Sequence, residues 1–204
     1  MAYSNDYLSN VKYEVIYNIL RFNGAKLSRT NISLIINNVY VNLTNSVSQS
    51  ELLLLKNLNT TIEVIFRAVK ARKSLSLKLM ESLINNVLNN MINFNFFADS
   101  YQKFAAEFAQ IKWQGFSTYD YLQCVATIFL EVINKRIFKE YSYTIAIIFA
   151  FAFPLFHRIE PIIIKYIDKK EFEAVVKEND VKTLVSWFKA MQDFESAKIR
   201  MLKE

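Results

Sequence analysis

Two glycines, Gly24 and Gly115, and two prolines, Pro154 and Pro161, are all the strong turn punctuation in a chain of 204 residues. Sandwiches and barrels need a tight turn roughly every ten residues, and those turns draw heavily on Gly and Pro. A chain this poor in both is expected to be all-α, with long helices joined by short loops. Apolar material to cover those helices is plentiful: 52% of the residues are hydrophobic, including 17 Phe and 11 Tyr. The length suffices for one well-buried core and does not require a second domain.

The most apolar run, Ile145 to Phe156, is 12 residues long and contains Pro154. A bilayer span needs about 20, so this run is expected to be a core helix, with no membrane span in the chain. The start, Met1 to Asn10, is polar and carries Asp6, without the apolar stretch of a secretion leader, so the expected location is cytoplasmic. Net charge is +6, with the basic residues scattered among Asn, Asp and Glu. That spacing gives no basic stripe, so a nucleic-acid partner is not expected. Cys124 is the single cysteine. It excludes an internal disulfide and a Cys-based metal site, and its apolar surroundings suggest a buried, reduced thiol.

Helical periodicity organises the chain into N-terminal helices over 1–45, a core over 46–191 and a C-terminal tail over 192–204. Val15, Ile16, Ile19 and Leu20 share a helix face that Gly24 ends, and Ile32, Ile35 and Ile36 mark a second short helix. Ser48 with Glu51, Ser117 with Asp120, and Asp168 with Glu171 have capping-box spacing, and Asp180 is placed to cap a closing helix. Between Asn93 and Phe116 the pattern blurs, and the aromatics fit a helix fragment, a small β-hairpin or both. Ile162 to Ile164 is expected to be extended. About eight helices in one domain is the sum.

Catalytic signals are sparse. The one histidine, His157, follows the apolar run and reads as a structural or C-capping residue. No H-E-x-x-H, C-x-x-C or phosphate-binding loop occurs, and two distant glycines cannot make a local phosphate nest. Lys135, Arg136 and Lys139 form a small basic knot before the apolar run, which by default is a solvated loop.

The segment from Asn134 to Ile148 reads N-K-R-I-F-K-E-Y-S-Y-T-I-A-I-I. It resembles a degenerate form of the Fic/Doc signature H-P-F-x-[DE]-G-N-G-R, which joins two central helices in that family. Arg136 then stands at the catalytic His and Ile137 at the Pro. Phe138 keeps the Phe, and Glu140 keeps the acidic residue. Tyr141, Ser142, Tyr143 and Thr144 stand where the family has Gly, Asn, Gly and Arg. The order of elements from Tyr119 to Phe188 is similar as well. A weaker echo lies at Phe22-Asn23-Gly24, where Asn23 would replace the Glu of the family's inhibitory motif.

The resemblance implies a Fic-like helical domain in which His would deprotonate a target hydroxyl for attack on the α-phosphate of ATP. Arg136 cannot act as that base, because guanidinium stays protonated. Tyr141 and Tyr143 put rings where glycine backbone should meet phosphate, and Thr144 carries no charge for the outer phosphates. Glu140 alone would be a weak metal ligand. The expectation is a catalytically inactive or strongly impaired binding or regulatory scaffold, with no cofactor or bound nucleotide and with a protein partner or a second copy of itself. The resemblance places a target-binding flap at Ile92 to Phe116, so Phe96, Phe97, Tyr101, Phe104 and Trp113 are the expected exposed anchors. The alternatives are a divergent nucleotidyl or phosphoryl transferase and an all-helical interaction protein unrelated to Fic.

Overall fold

A computed structural model of the chain describes residues 5–39, 47–92 and 98–201. Along these lie α1 (Asn5–Phe22), α2 (Arg29–Ile36), α3 (Gln49–Lys70), α4 (Leu77–Leu88) and α5 (Ala98–Ala109). They are followed by α6 (Thr118–Asn134), α7 (Ser142–Phe156), α8 (Lys169–Glu178) and α9 (Val181–Met201). Short 3-10 turns occupy Lys139–Tyr141 and Tyr166–Asp168, and no strand occurs among the described residues. The fold is all-α, as the shortage of Gly and Pro requires.

The helix starts show which caps the sequence wrote plainly. Ser48 and Glu51 form a full capping box: the Glu51 N–H donates to Ser48 Oγ at 3.1 Å, and the Ser48 N–H donates to Glu51 Oε2 at 2.7 Å. Ser117 Oγ accepts from the Asp120 N–H at 3.2 Å. Asp120 is one methylene shorter than Glu, and its carboxylate takes the Ser117 hydroxyl at 2.6 Å. Asp180 Oδ2 accepts from the Thr183 N–H at 2.7 Å and starts α9. Asp168, expected to cap α8, does not. It lies inside a 3-10 turn with φ −91° and ψ 12°, and its side chain makes no cap bond. A side-chain cap needs an extended residue, and the preceding turn removes that geometry.

The core is built round α7, whose residues from Thr144 to Leu155 are all buried. A helix apolar on every side must be enclosed. α6 packs along it, α1 and α3 pack on other sides, and α9 covers α6. Phe149 and Phe153, one turn apart, stack at 4.7 Å. Ile162, Ile163 and Ile164 are buried, belong to no helix, and pair with no neighbouring strand among the described residues.

The blurred region contains α5, a regular helix, so the helical alternative is the one present among the described residues; residues 93–97 lie outside them. The segment expected as a tail is helical. α9 continues to Met201, with Gln192, Glu195 and Ile199 buried on its inner face.

Candidate functional site

The loop between α6 and α7 is held by its own apolar pair. Ile137 and Phe138 are buried, and the Phe138 ring lies 6.1 Å from Tyr101 and 6.4 Å from Phe104. Burying two consecutive side chains in so short a connection bends the backbone sharply. Arg136 and Lys139, on either side, adopt left-handed φ values of 46° and 50°. The Ser100 hydroxyl donates to the Ile137 carbonyl at 2.9 Å, and the Phe138 N–H donates to Ser142 Oγ at 3.0 Å. The loop is thereby tied to both α5 and the first turn of α7.

The resembled positions fall into two groups. Arg136 and Glu140 are exposed at the turn. Tyr141, Ser142, Tyr143 and Thr144 are engaged with the protein. Ser142 is buried and takes up its hydroxyl in capping Phe138. Tyr141 is partly buried and packed on the core. Tyr143, 38% exposed, sets its ring edge on Phe172 of α8 at 6.2 Å. Burial, and then the nearby Glu173 carboxylate, push its phenol pKa above the ordinary value. Thr144 is buried and turned toward the residues just after α1. Asn23 Nδ2 donates to Thr144 Oγ1 at 2.9 Å, and Asn23 Oδ1 lies 3.3 Å from the same hydroxyl. The two halves of the sequence resemblance, 121 residues apart, thus meet at one hydrogen-bonded pair.

The start of α7 would ordinarily offer free N–H groups and a positive dipole end to an anion. Here the Ser142 N–H donates to the Lys139 carbonyl across the 3-10 turn, Tyr143 sets its ring against Phe172 of α8, and Thr144 bonds Asn23 just after α1. Mg²⁺ keeps several waters and is held by one or two carboxylates together with substrate phosphates, so Glu140 alone could hold it only alongside a bound phosphate. Glu140 is a single exposed carboxylate between Lys139 and Tyr141, and no group of three His, Cys, Asp or Glu occurs among the described residues.

His157 stands far from this loop. It is the C-cap residue of α7, at the opposite end of a 15-residue helix from the loop, a separation of about 22 Å. Its ring stacks on Tyr121 at 4.1 Å with 13° between planes. Tyr121 in turn donates to the Phe153 carbonyl at 2.6 Å. Cys124 is half-buried, and burial pushes its thiol pKa up to about 11.

The expected aromatic anchors need correction. Tyr101 and Phe104 are buried at 7% and 1% exposure. Trp113 is partly buried, with its ring 5.4 Å from Phe108, 5.4 Å from Tyr121 and 5.6 Å from Phe153. Tyr101, Phe104 and Phe108 have the spacing of one helix face, and α5 turns that face inward. Phe96 and Phe97 lie outside the described residues. Sequence reasoning missed the Tyr121–His157 stack, which no local spacing could have shown. It also missed the polar face of α6 carrying Asp120, Gln123, Thr127 and Glu131, whose helical spacing was visible.

No family model and no curated protein sequence matches this chain. Among solved structures, Fic-1 from C. elegans superposes with a TM-score of 0.76 at 11% identity, over 98% of this chain and 66% of that one. The chain therefore spans just under two thirds of that solved chain's length. An identity this low carries the architecture and not the chemistry. The chain is an all-helical protein with a Fic-like fold.

Proposed function

We propose that this chain is a Fic-fold protein without transferase activity, serving as a binding or regulatory scaffold. The observation that carries the reading is the engagement of Thr144 with Asn23 and of Tyr143 with Phe172. By the resemblance to the Fic signature these are the positions of a phosphate-binding arginine and of a glycine whose backbone approaches phosphate. Here both side chains serve packing between α7, α8 and the end of α1. A guanidinium at the base position supports the same conclusion, since it offers N–H donors and no acceptor for a proton. Loss of a general base alone costs a Fic-type reaction about 10²–10⁴-fold. Loss of the anion site takes away the substrate itself.

Thermal unfolding with nucleotide tests this reading. A ligand at a thousand times its Kd stabilises the folded state by about 4 kcal/mol. For a domain of this size that raises Tm by roughly 8–16 °C. The expected result with millimolar ATP or ADP and Mg²⁺ is no shift beyond about 1 °C, and a shift on the larger scale overturns the proposal.

A further inference from the structure

No Asp or Glu occurs between Glu14 and Glu51, although Arg21, Lys26 and Arg29 lie in that stretch. The fold sets the end of α1 against the Tyr166–Asp168 turn, which Lys165, Lys169 and Lys170 flank in sequence. That turn is anchored. The Tyr166 N–H donates to Asn18 Oδ1 of α1 at 2.9 Å, and its ring meets Phe22 edge-on at 5.6 Å. From this fixed turn Ile167 projects at 87% exposure, the most exposed large hydrophobic residue among those described.

The surrounding cations rest on rings more than on carboxylates. The Arg29 guanidinium lies over Tyr17 at 4.8 Å, and one turn along α1 the Arg21 guanidinium lies over Tyr166 at 4.9 Å. Lys169 Nζ is 5.7 Å from the same Tyr166 ring, and Lys165 Nζ is 3.6 Å from the ring of Phe194. A ring holds a cation in place without neutralising it, so the positive field persists. Lys169 also has Glu173 at 3.6 Å. Arg21, Lys26, Arg29, Lys165 and Lys170 form no ion pair among the described residues. Asp168 and Glu171 oppose these five cations, which leaves the surface net positive. Arg21 spends one N–H on the Ala25 carbonyl at 3.1 Å, while Lys26, Arg29 and Lys170 are exposed.

We propose that this face docks on a bilayer surface containing anionic phospholipid. Ile167 enters the headgroup zone, and Arg21, Arg29, Lys165 and Lys170 meet the lipid anions. No helix among the described residues is long and apolar enough to cross a membrane, so the contact is peripheral. Single-stranded nucleic acid would need open ring faces for its bases. Tyr17 and Tyr166 are partly buried and carry guanidinium groups over their rings. A protein interface needs a contiguous apolar centre from which water is excluded, and Ile167 stands among charges. A headgroup zone accepts one aliphatic side chain without shape complementarity, and its anions supply the countercharge. The inference goes beyond the scaffold reading and does not depend on it.

Flotation of the full chain with phosphatidylcholine vesicles, made with and without phosphatidylserine, tests the proposal. The expected result is binding to the phosphatidylserine vesicles alone, released at high salt. Ile167→Ser lowers the partition coefficient roughly fivefold or more. Arg29→Glu with Lys170→Glu lowers it roughly 25-fold or more, about fivefold for each cation near an anionic surface. Tyr119→Ser, an exposed residue at the His157 end of α7, leaves it unchanged. All the substituted side chains are exposed, and unchanged thermal unfolding of each variant separates lost binding from lost folding. No binding to phosphatidylserine vesicles, equal binding to phosphatidylcholine alone, or binding that Ile167→Ser leaves intact overturns the proposal. So does capture of single-stranded RNA with vesicles left unbound, which makes nucleic acid the partner.

Discussion

Thr144 is buried, so its hydroxyl has to find a partner inside the protein, and Asn23 supplies it at 2.9 Å. Replacing Thr144 by Val keeps the shape and deletes that partner. The expected cost is about 1 kcal/mol, seen as a lower denaturant midpoint with unchanged m-value. A null result would mean that water replaces the hydroxyl without penalty and that the pair does not fasten the loop. Cys124 gives a second prediction at this scale. With its thiol pKa pushed up to about 11 by burial, little thiolate exists near neutral pH. Alkylation at pH 8 should be roughly tenfold or more slower than for an exposed cysteine, and the rate should keep rising with pH towards 11. A rate that levels off by pH 9 contradicts this. Individual side chains were read unevenly from sequence. The residue types at Arg136, Tyr141, Tyr143 and Thr144 could be set against a motif, but their destinations could not. Nothing local says that Tyr143 leans on Phe172 or that Asn23 waits for Thr144, because both contacts join segments distant in sequence.

At the level of elements, the caps separate what spacing can say from what it cannot. Ser48 makes its full box, whereas Asp168 at the same spacing makes no side-chain bond. Ser48→Ala should therefore cost about 1 kcal/mol, and Asp168→Ala should stay within about 0.5 kcal/mol of neutral, by chemical denaturation. Equal effects would refute the distinction. Asp180 adds a pH dependence. The Thr183 N–H and hydroxyl hold its carboxyl below the usual value. Its stabilising contribution is thus complete above the ordinary carboxylate pKa and is lost as pH falls through the lower, folded value. Helix existence was legible almost throughout because 3.6-residue periodicity is a local signal. α5 was the exception: its inward face is aromatic, and aromatics suit a strand pattern nearly as well.

Across the whole molecule, the chain ends are tied together. Glu195 of α9 is 1% exposed, accepts from the Tyr7 hydroxyl of α1 at 3.3 Å and pairs with Lys198 at 2.8 Å. Lys198 reaches on to Glu14 of α1 at 3.0 Å. Removing one member of a buried pair is costly, although Lys198 is partly exposed and keeps Glu14. Glu195→Ala should lower stability by about 2 kcal/mol, and truncation after Met191 should destroy cooperative thermal unfolding. A truncated chain that melts at the full-length temperature would restore the view of 192–204 as a tail. These elements close the Fic-like fold, and in the proposed reading the positions of Tyr143 and Thr144 serve packing. Titration calorimetry with ATP and Mg²⁺ tests that reading most directly: the account predicts no saturable heat, and a Kd in the micromolar range would contradict it.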